Sequence, residues 1–330
     1  MYVWIGSLLF YFYIYGFCCS LRWLLHRFVP RDPNASPIVE TPWFAAIFEC
    51  IGTIQIIAPI FDIDIVWEAY GLVAVFFQVL LFEYLNWRTI YDALATPLLF
   101  VSAKKTTALR REWLPYLVNC ASGQLLGALI SYPMTLLFWR FELLDEHAEA
   151  YDADECECDL TVSVLNGCII ECVGAFAVRY FELYTAGHRL EAGINSFWCA
   201  LLTAIGIHFT GFYIHPLMAS TLTLGCGDLA IWPHFKVYWI APMLGWYGAE
   251  LVWAVKTERP RLKHSYEIKL SSEIKPKAVP PPTPVMEAPP VEPITEVAVP
   301  EGEVPLELES PPEQQLVQRG VGVVEPSKSG

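Results

Sequence analysis

The chain has 330 residues, of which 55% are hydrophobic and 14% aromatic, with a mean hydropathy of +0.39. A soluble globular domain of this length would need an implausibly large core to hold that much apolar side chain, so composition points to the membrane. The net charge of −14 is compatible with this, because the acids gather in Glu142 to Asp159 and after Glu287 and leave the apolar runs nearly uncharged.

Residues 1–28 open with an aromatic-rich apolar run, Tyr2 to Leu25, that carries no charge before Arg22. A secretory signal peptide would show a basic start and a small-residue cleavage site, so an uncleaved helix is expected. A Pro-rich linker, 29–42, leads to a second run, Trp43 to Ile60, which Asp62 and Asp64 are expected to end before a third, Val66 to Leu85. Asn86 to Arg111 contains a Pro-initiated stretch, Thr96 to Val101, and the fourth run is Leu114 to Trp139. After the acidic segment come Leu160 to Val178, Gly193 to Ile207 and Val237 to Val255. Each is close to the ~20 residues that cross ~30 Å of hydrocarbon, which predicts six spans plus the N-terminal helix. The remainder, 256–330, alternates Pro, Val and Glu with few aromatics and reads as a disordered tail. Within it, Pro280 to Pro284 offers a partner site to a proline-reading domain.

Most of the ten cysteines fall inside the apolar runs and read as small buried hydrophobes. Cys156 and Cys158, in the acidic segment, are the exceptions, and with His147 they are weighed as soft-metal ligands. Their spacing matches no recognised ligand pattern, so no metal or cofactor is expected and the segment reads as a solvated, flexible loop.

Orientation follows from Lys and Arg, which stay on the cytoplasmic side. Lys104, Lys105, Arg110 and Arg111 mark one inner segment, Arg179 and Arg189 a second, and Lys256, Arg259, Arg261 and Lys263 a third, with two spans between successive segments. The acidic segment is then lumenal or extracellular, and Arg22, Arg27 and Arg31 place the first linker inside.

The chain also repeats itself. Phe48-Glu49-Cys50-Ile51-Gly52 parallels Ile170-Glu171-Cys172-Val173-Gly174, Thr96-Pro97 parallels His215-Pro216, and Gly127 parallels Gly245, in the same order. Three spans per half with inverted charge make an inverted-topology repeat, whose site lies near the midplane at broken helices. His215 and Pro216 are expected as N-cap and first residue of a short helix, since proline's fixed φ suits that position and its missing N–H loses no bond there. The two short helices would meet N-terminus to N-terminus, with free N–H groups and positive dipole ends inside the protein. Glu49 and Glu171 are mid-span acids costing ~2.5–3.5 kcal/mol each unless partnered. They are assigned to holding the two irregular loops.

These residues resemble the aquaporin, or major intrinsic protein, superfamily over roughly Trp43 to Val255. The unorthodox intracellular superaquaporin branch matches best, through its altered first Asn-Pro-Ala box, the extra N-terminal segment, and Val237-Tyr-Trp-Ile-Ala-Pro-Met-Leu-Gly245 in the last span. The resemblance implies an all-α membrane protein: six transmembrane helices with two re-entrant half-helices in an inverted repeat (43–139 and 160–255), plus the N-terminal helix. It further implies a narrow pore for water or small neutral solutes such as glycerol, in a homotetramer, in the endoplasmic reticulum or plasma membrane. Both family asparagines are replaced, giving Thr96-Pro97-Leu98 and His215-Pro216-Leu217 at the pore midpoint. The family's constriction arginine falls at Met218. Ungapped counting from the boxes puts the other constriction positions at Phe76, Thr203 and Phe212.

His215 is expected neutral, because burial and two positive dipole ends oppose its charge, or else to serve only as a helix cap. No catalytic constellation, phosphate loop or basic aromatic patch for nucleic acid is present, so an enzyme is not expected. A non-conducting membrane scaffold of this fold and a secondary transporter are the alternatives to a channel.

Overall fold

The computed structural model describes residues 2–28, 42–102, 110–153 and 156–273. Most of the first linker, Lys104, Lys105 and the tail beyond 273, including Pro280 to Pro284, lie outside the described residues. All regular structure among the described residues is helical. The long elements are α1 (Val3–Phe28), α2 (Pro42–Ile57), α3 (Ile63–Tyr70), α4 (Leu72–Thr89), a four-residue α5 (Leu99–Ser102) and α6 (Arg110–Trp139) in the first half. The second half holds α7 (Asp145–Asp152), α8 (Val164–Thr185), α9 (Glu191–Thr210), α10 (Pro216–Thr223), α11 (Ile231–Phe235) and α12 (Ala241–Glu273). Among the described residues, five helical stretches are long and apolar enough to cross a membrane: Val3–Phe28, Trp43–Tyr70, Leu114–Trp139, Val164–Thr185 and Glu191–Thr210. The protein is an integral, multi-pass membrane protein.

Helix α1 is not a loose anchor. Ser7, Phe10, Tyr11, Ile14, Tyr15, Cys18 and Arg22 form one buried stripe, at the three- and four-residue spacing of a single helix face. That stripe packs on Ile51, Ile54, Phe82 and Phe138, while Trp4, Phe12 and Trp23 stay exposed.

Asp62 and Asp64 do not end the second run, as the sequence suggests. A 3-10 turn, Ala58–Asp62, carries α2 into α3, and the break comes at Gly71, whose φ of 73° requires glycine-like freedom. Asp62 is tolerated because it is partnered: Tyr11 Oη donates to Oδ2 at 2.7 Å and His147 Nε2 lies 3.0 Å from Oδ1, all three buried. The acidic segment is corrected in the same way. It contains α7 with a fully buried His147, and Cys156 is joined to Cys226 in a disulfide. Only Cys158 of the two thiols is free. Cys226 follows α10 in sequence, so the pairing could not be read from the local spacing of Cys156 and Cys158.

The halves are built on matching helix pairs, α2 with α6 and α8 with α12. A Cβ at Gly127 would overlap the Cys50 carbonyl, and one at Gly245 the Cys172 carbonyl. The repeated glycines therefore allow the same close backbone approach, each beside the residue that follows a mid-span glutamate. Between the pairs, α4 meets α9 through Val75, Val79, Ala200 and Ile207. A π-helical turn, Lys236–Ile240, joins α11 to α12 and turns Tyr238 and Trp239 inward, where Tyr238 Oη donates to the Thr210 carbonyl and Trp239 Nε1 to Ser220 Oγ. α12 continues past Val255 to Glu273.

Candidate functional site

The first irregular loop runs from Ile90 to Leu98 into α5. Glu49, buried in α2, accepts the backbone N–H of Leu94 and of Ala95, each at 2.7 Å, and the Gln124 amide at 2.9 Å. Ala95 takes a left-handed φ of 51°, an uncommon conformation for a residue with a Cβ. Thr96 Oγ1 accepts the Leu98 N–H at a long 3.4 Å, and Pro97 and Leu98 are buried.

The second loop repeats this geometry. Glu171, buried in α8, accepts Thr210 Oγ1 at 2.7 Å and the Ile214 N–H at 2.9 Å. Ile214, directly before His215, has a φ of 52°, as Ala95 has directly before Thr96. His215 Nδ1 accepts the Met218 N–H at 3.1 Å and so caps α10, with Pro216 as its first residue.

The two loops meet at one bond. His215 Nε2 lies 2.7 Å from the Ala95 carbonyl oxygen, which can only accept, so Nε2 carries the ring proton. Nδ1 accepts from Met218, and the ring is the neutral tautomer with both nitrogens satisfied. Protonation would add a hydrogen to Nδ1 and break the cap.

The four constriction positions take separate neighbours. The Phe212 ring fills the space over Gly174 and Gly206, where a Cβ would overlap it, and is 7% exposed. Met218 packs with Ile57, Ala128 and Leu217. Phe76 stands edge-on to Phe197 at 5.6 Å, and Thr203 contacts the Cys199 thiol.

No family model matches the chain. Among curated proteins it is 26% identical over 201 residues to aquaporin-11 of Milnesium tardigradum, covering 61% of this chain and 72% of that relative. It is 26% identical over 238 residues to putative aquaporin-10 of Caenorhabditis elegans, covering 69% and 81%. Putative aquaporin-12B of Homo sapiens is 28% identical over 175 residues, covering 50% and 57%. The chain is similar to members of the aquaporin superfamily. Its relatives here are of the superaquaporin type, and a membrane-channel family accounts for the multi-pass helices.

Several residues of this aquaporin-family site escaped sequence reasoning. Asp92, two residues before Leu94, pairs with Arg22 at 3.2 Å and with His26 at 2.9 Å, and Arg22 Nη1 donates to Gln55 at 2.6 Å. The N-terminal helix thus grips the loop that carries Thr96. On the other side, Tyr213 Oη donates to Asp159. Burial pushes the Asp159 carboxyl up, against the pull of that hydrogen bond. Arg22, the first charge in its span, was the available signal, since an ion inside hydrocarbon needs a partner.

Proposed function

We propose that the protein is a passive transmembrane channel for water or small neutral solutes such as glycerol. It has six spans, α5 and α10 are the ends of two re-entrant half-helices, and the path passes the Thr96-Pro97-Leu98 and His215-Pro216-Leu217 boxes. The observation that carries this is the duplicated loop geometry: two glutamates, two left-handed residues and two Pro-initiated turns converge at the His215–Ala95 bond. Half-helix N-termini facing one another leave oriented N–H groups for a permeant oxygen in a region otherwise closed to irregular backbone. Glu49 and Glu171 hold the loops. Phe76, Thr203, Phe212 and Met218 are assigned to the constriction.

A disulfide at Cys156–Cys226 forms in an oxidising compartment, which supports a lumenal or external acidic segment, with the tail cytoplasmic. Labelling of Cys158 by an impermeant thiol reagent from the cytoplasmic side alone would reverse that orientation. The assembly is read as a homotetramer in the endoplasmic reticulum or plasma membrane, with Pro280 to Pro284 as a partner site for a proline-reading domain.

One observation favours the second reading, a non-conducting scaffold: both His215 nitrogens are engaged by the protein itself. Stopped-flow light scattering on proteoliposomes tests the two. The channel reading expects water or glycerol permeability above empty vesicles, and permeability equal to empty vesicles for both leaves the scaffold.

A further inference from the structure

A cavity lies between α4, α8 and α9, away from the His215–Ala95 contact, and its lining is polar on three sides. Glu83 comes from α4, Glu182 from α8, and Asn195, Trp198 and Cys199 from α9. Asn195 is 8% exposed. Thr185 Oγ1 donates to Asn195 Oδ1 at 3.0 Å, and the other end of that amide, Nδ2, is buried without a partner. Trp198 Nε1 is likewise buried and unpartnered. Buried N–H groups cost about 1–3 kcal/mol each when left unsatisfied, so their persistence beside a cavity points to something that occupies it.

The charges narrow what that is. Glu182 pairs with Arg179 at 3.0 Å, whereas Glu83 faces the cavity near Glu182. Carboxylates repel anions. Unpartnered N–H donors repel a cation and require an acceptor oxygen. A hydroxyl satisfies both, since it donates to a carboxylate and accepts from an N–H. The space open to water-sized groups is about 40 Å³, and a single water needs about 10–15 Å³ by that measure, so a short run of hydroxyls fits and a sugar ring does not.

The cavity shares helix faces with positions already assigned to the path. Glu83 is two helical turns along α4 from Phe76, on one face, and Cys199 is one turn along α9 from Thr203, whose hydroxyl contacts its thiol.

We propose that Glu83, Glu182, Asn195 and Trp198 form a binding site for small neutral polyols at the cytoplasmic end of the path, with Glu83 and Asn195 setting the preference for polyol over water. This rests on the channel reading, and the test separates the two. In proteoliposomes of the full chain, Asn195→Leu and Glu83→Leu should lower glycerol permeability relative to water by about 3- to 10-fold, the range of one hydrogen bond. Glu83→Gln keeps a neutral hydrogen-bonding group and should lose less than Glu83→Leu. Loss in Glu83→Gln equal to that in Glu83→Leu, or methylammonium uptake that Glu83→Gln abolishes, would overturn the neutral-polyol assignment. If the unsubstituted protein conducts neither solute, the channel reading fails while the site is still read directly. Saturation-transfer NMR with glycerol, on the full chain in a detergent without hydroxyl groups, should then give a signal that Asn195→Leu loses. An unchanged signal and an unchanged permeability ratio in both leucine variants would sink the site.

Discussion

The loop before Thr96 and the loop before His215 are held from the inside by the same device and from the outside by different ones. Inside, a span glutamate accepts backbone N–H groups around a left-handed residue in each half. Outside, the first loop is fastened by an ion pair, Arg22 and His26 on Asp92, while the second is bounded by the Cys156–Cys226 bridge and the Tyr213–Asp159 bond. The inner device is inherited with the repeat. The outer ones differ in kind, an ion pair in one half and a disulfide in the other, and a disulfide persists only in an oxidising compartment.

Removing the inner device should have the largest effect. Glu171→Leu leaves the Ile214 N–H and Thr210 hydroxyl buried without an acceptor, and Glu49→Leu strands Leu94, Ala95 and Gln124. At about 1–3 kcal/mol per unsatisfied group, Glu171→Leu should lose roughly 2–6 kcal/mol and Glu49→Leu roughly 3–9 kcal/mol, read as a lower Tm in detergent. A loss in one half only would break the equivalence. Next comes the outer clasp of the first loop. Arg22→Met leaves Asp92, 1% exposed at its side chain, without its arginine, and breaking a buried pair costs about 3–5 kcal/mol. Deleting residues 1–28 should destabilise the remainder at least as much.

The clasp of the second loop should count for somewhat less. Cys226→Ser opens a bridge spanning 70 residues, which is worth about 2–4 kcal/mol. Reductant should lower the Tm of the unsubstituted protein and leave Cys226→Ser unchanged, and an equal response in both would show the bridge to be unimportant.

The smallest effect is expected where the loops touch. His215 is neutral in the geometry described, and protonating Nδ1 breaks its bond from Met218. Water permeability should therefore hold from pH 8 to 5 and fall only below that, while His215→Asn, which cannot take up a proton, should keep a flat profile. Equal profiles would reduce His215 to a helix cap.

Apolar runs, Lys and Arg positions and the repeated Glu-Cys and Gly pairs were enough to set the multi-pass helical class, the two halves and the pairing of Glu49 and Glu171 with equivalent positions. Those features are legible because a bilayer imposes length and polarity on each segment independently of its neighbours. The local code also placed His215 and Pro216 at the start of α10, since capping depends on adjacent residues alone. What tertiary structure decided were the contacts between segments distant in sequence. Asp62 survives mid-helix because Tyr11 and His147 reach it from α1 and α7, Cys156 finds Cys226 across the second half, and the polar cavity exists only where α4, α8 and α9 bring Glu83, Glu182 and Asn195 together. Such partners leave no periodic trace along the chain, because a buried charge or thiol asks only that its partner be near in space.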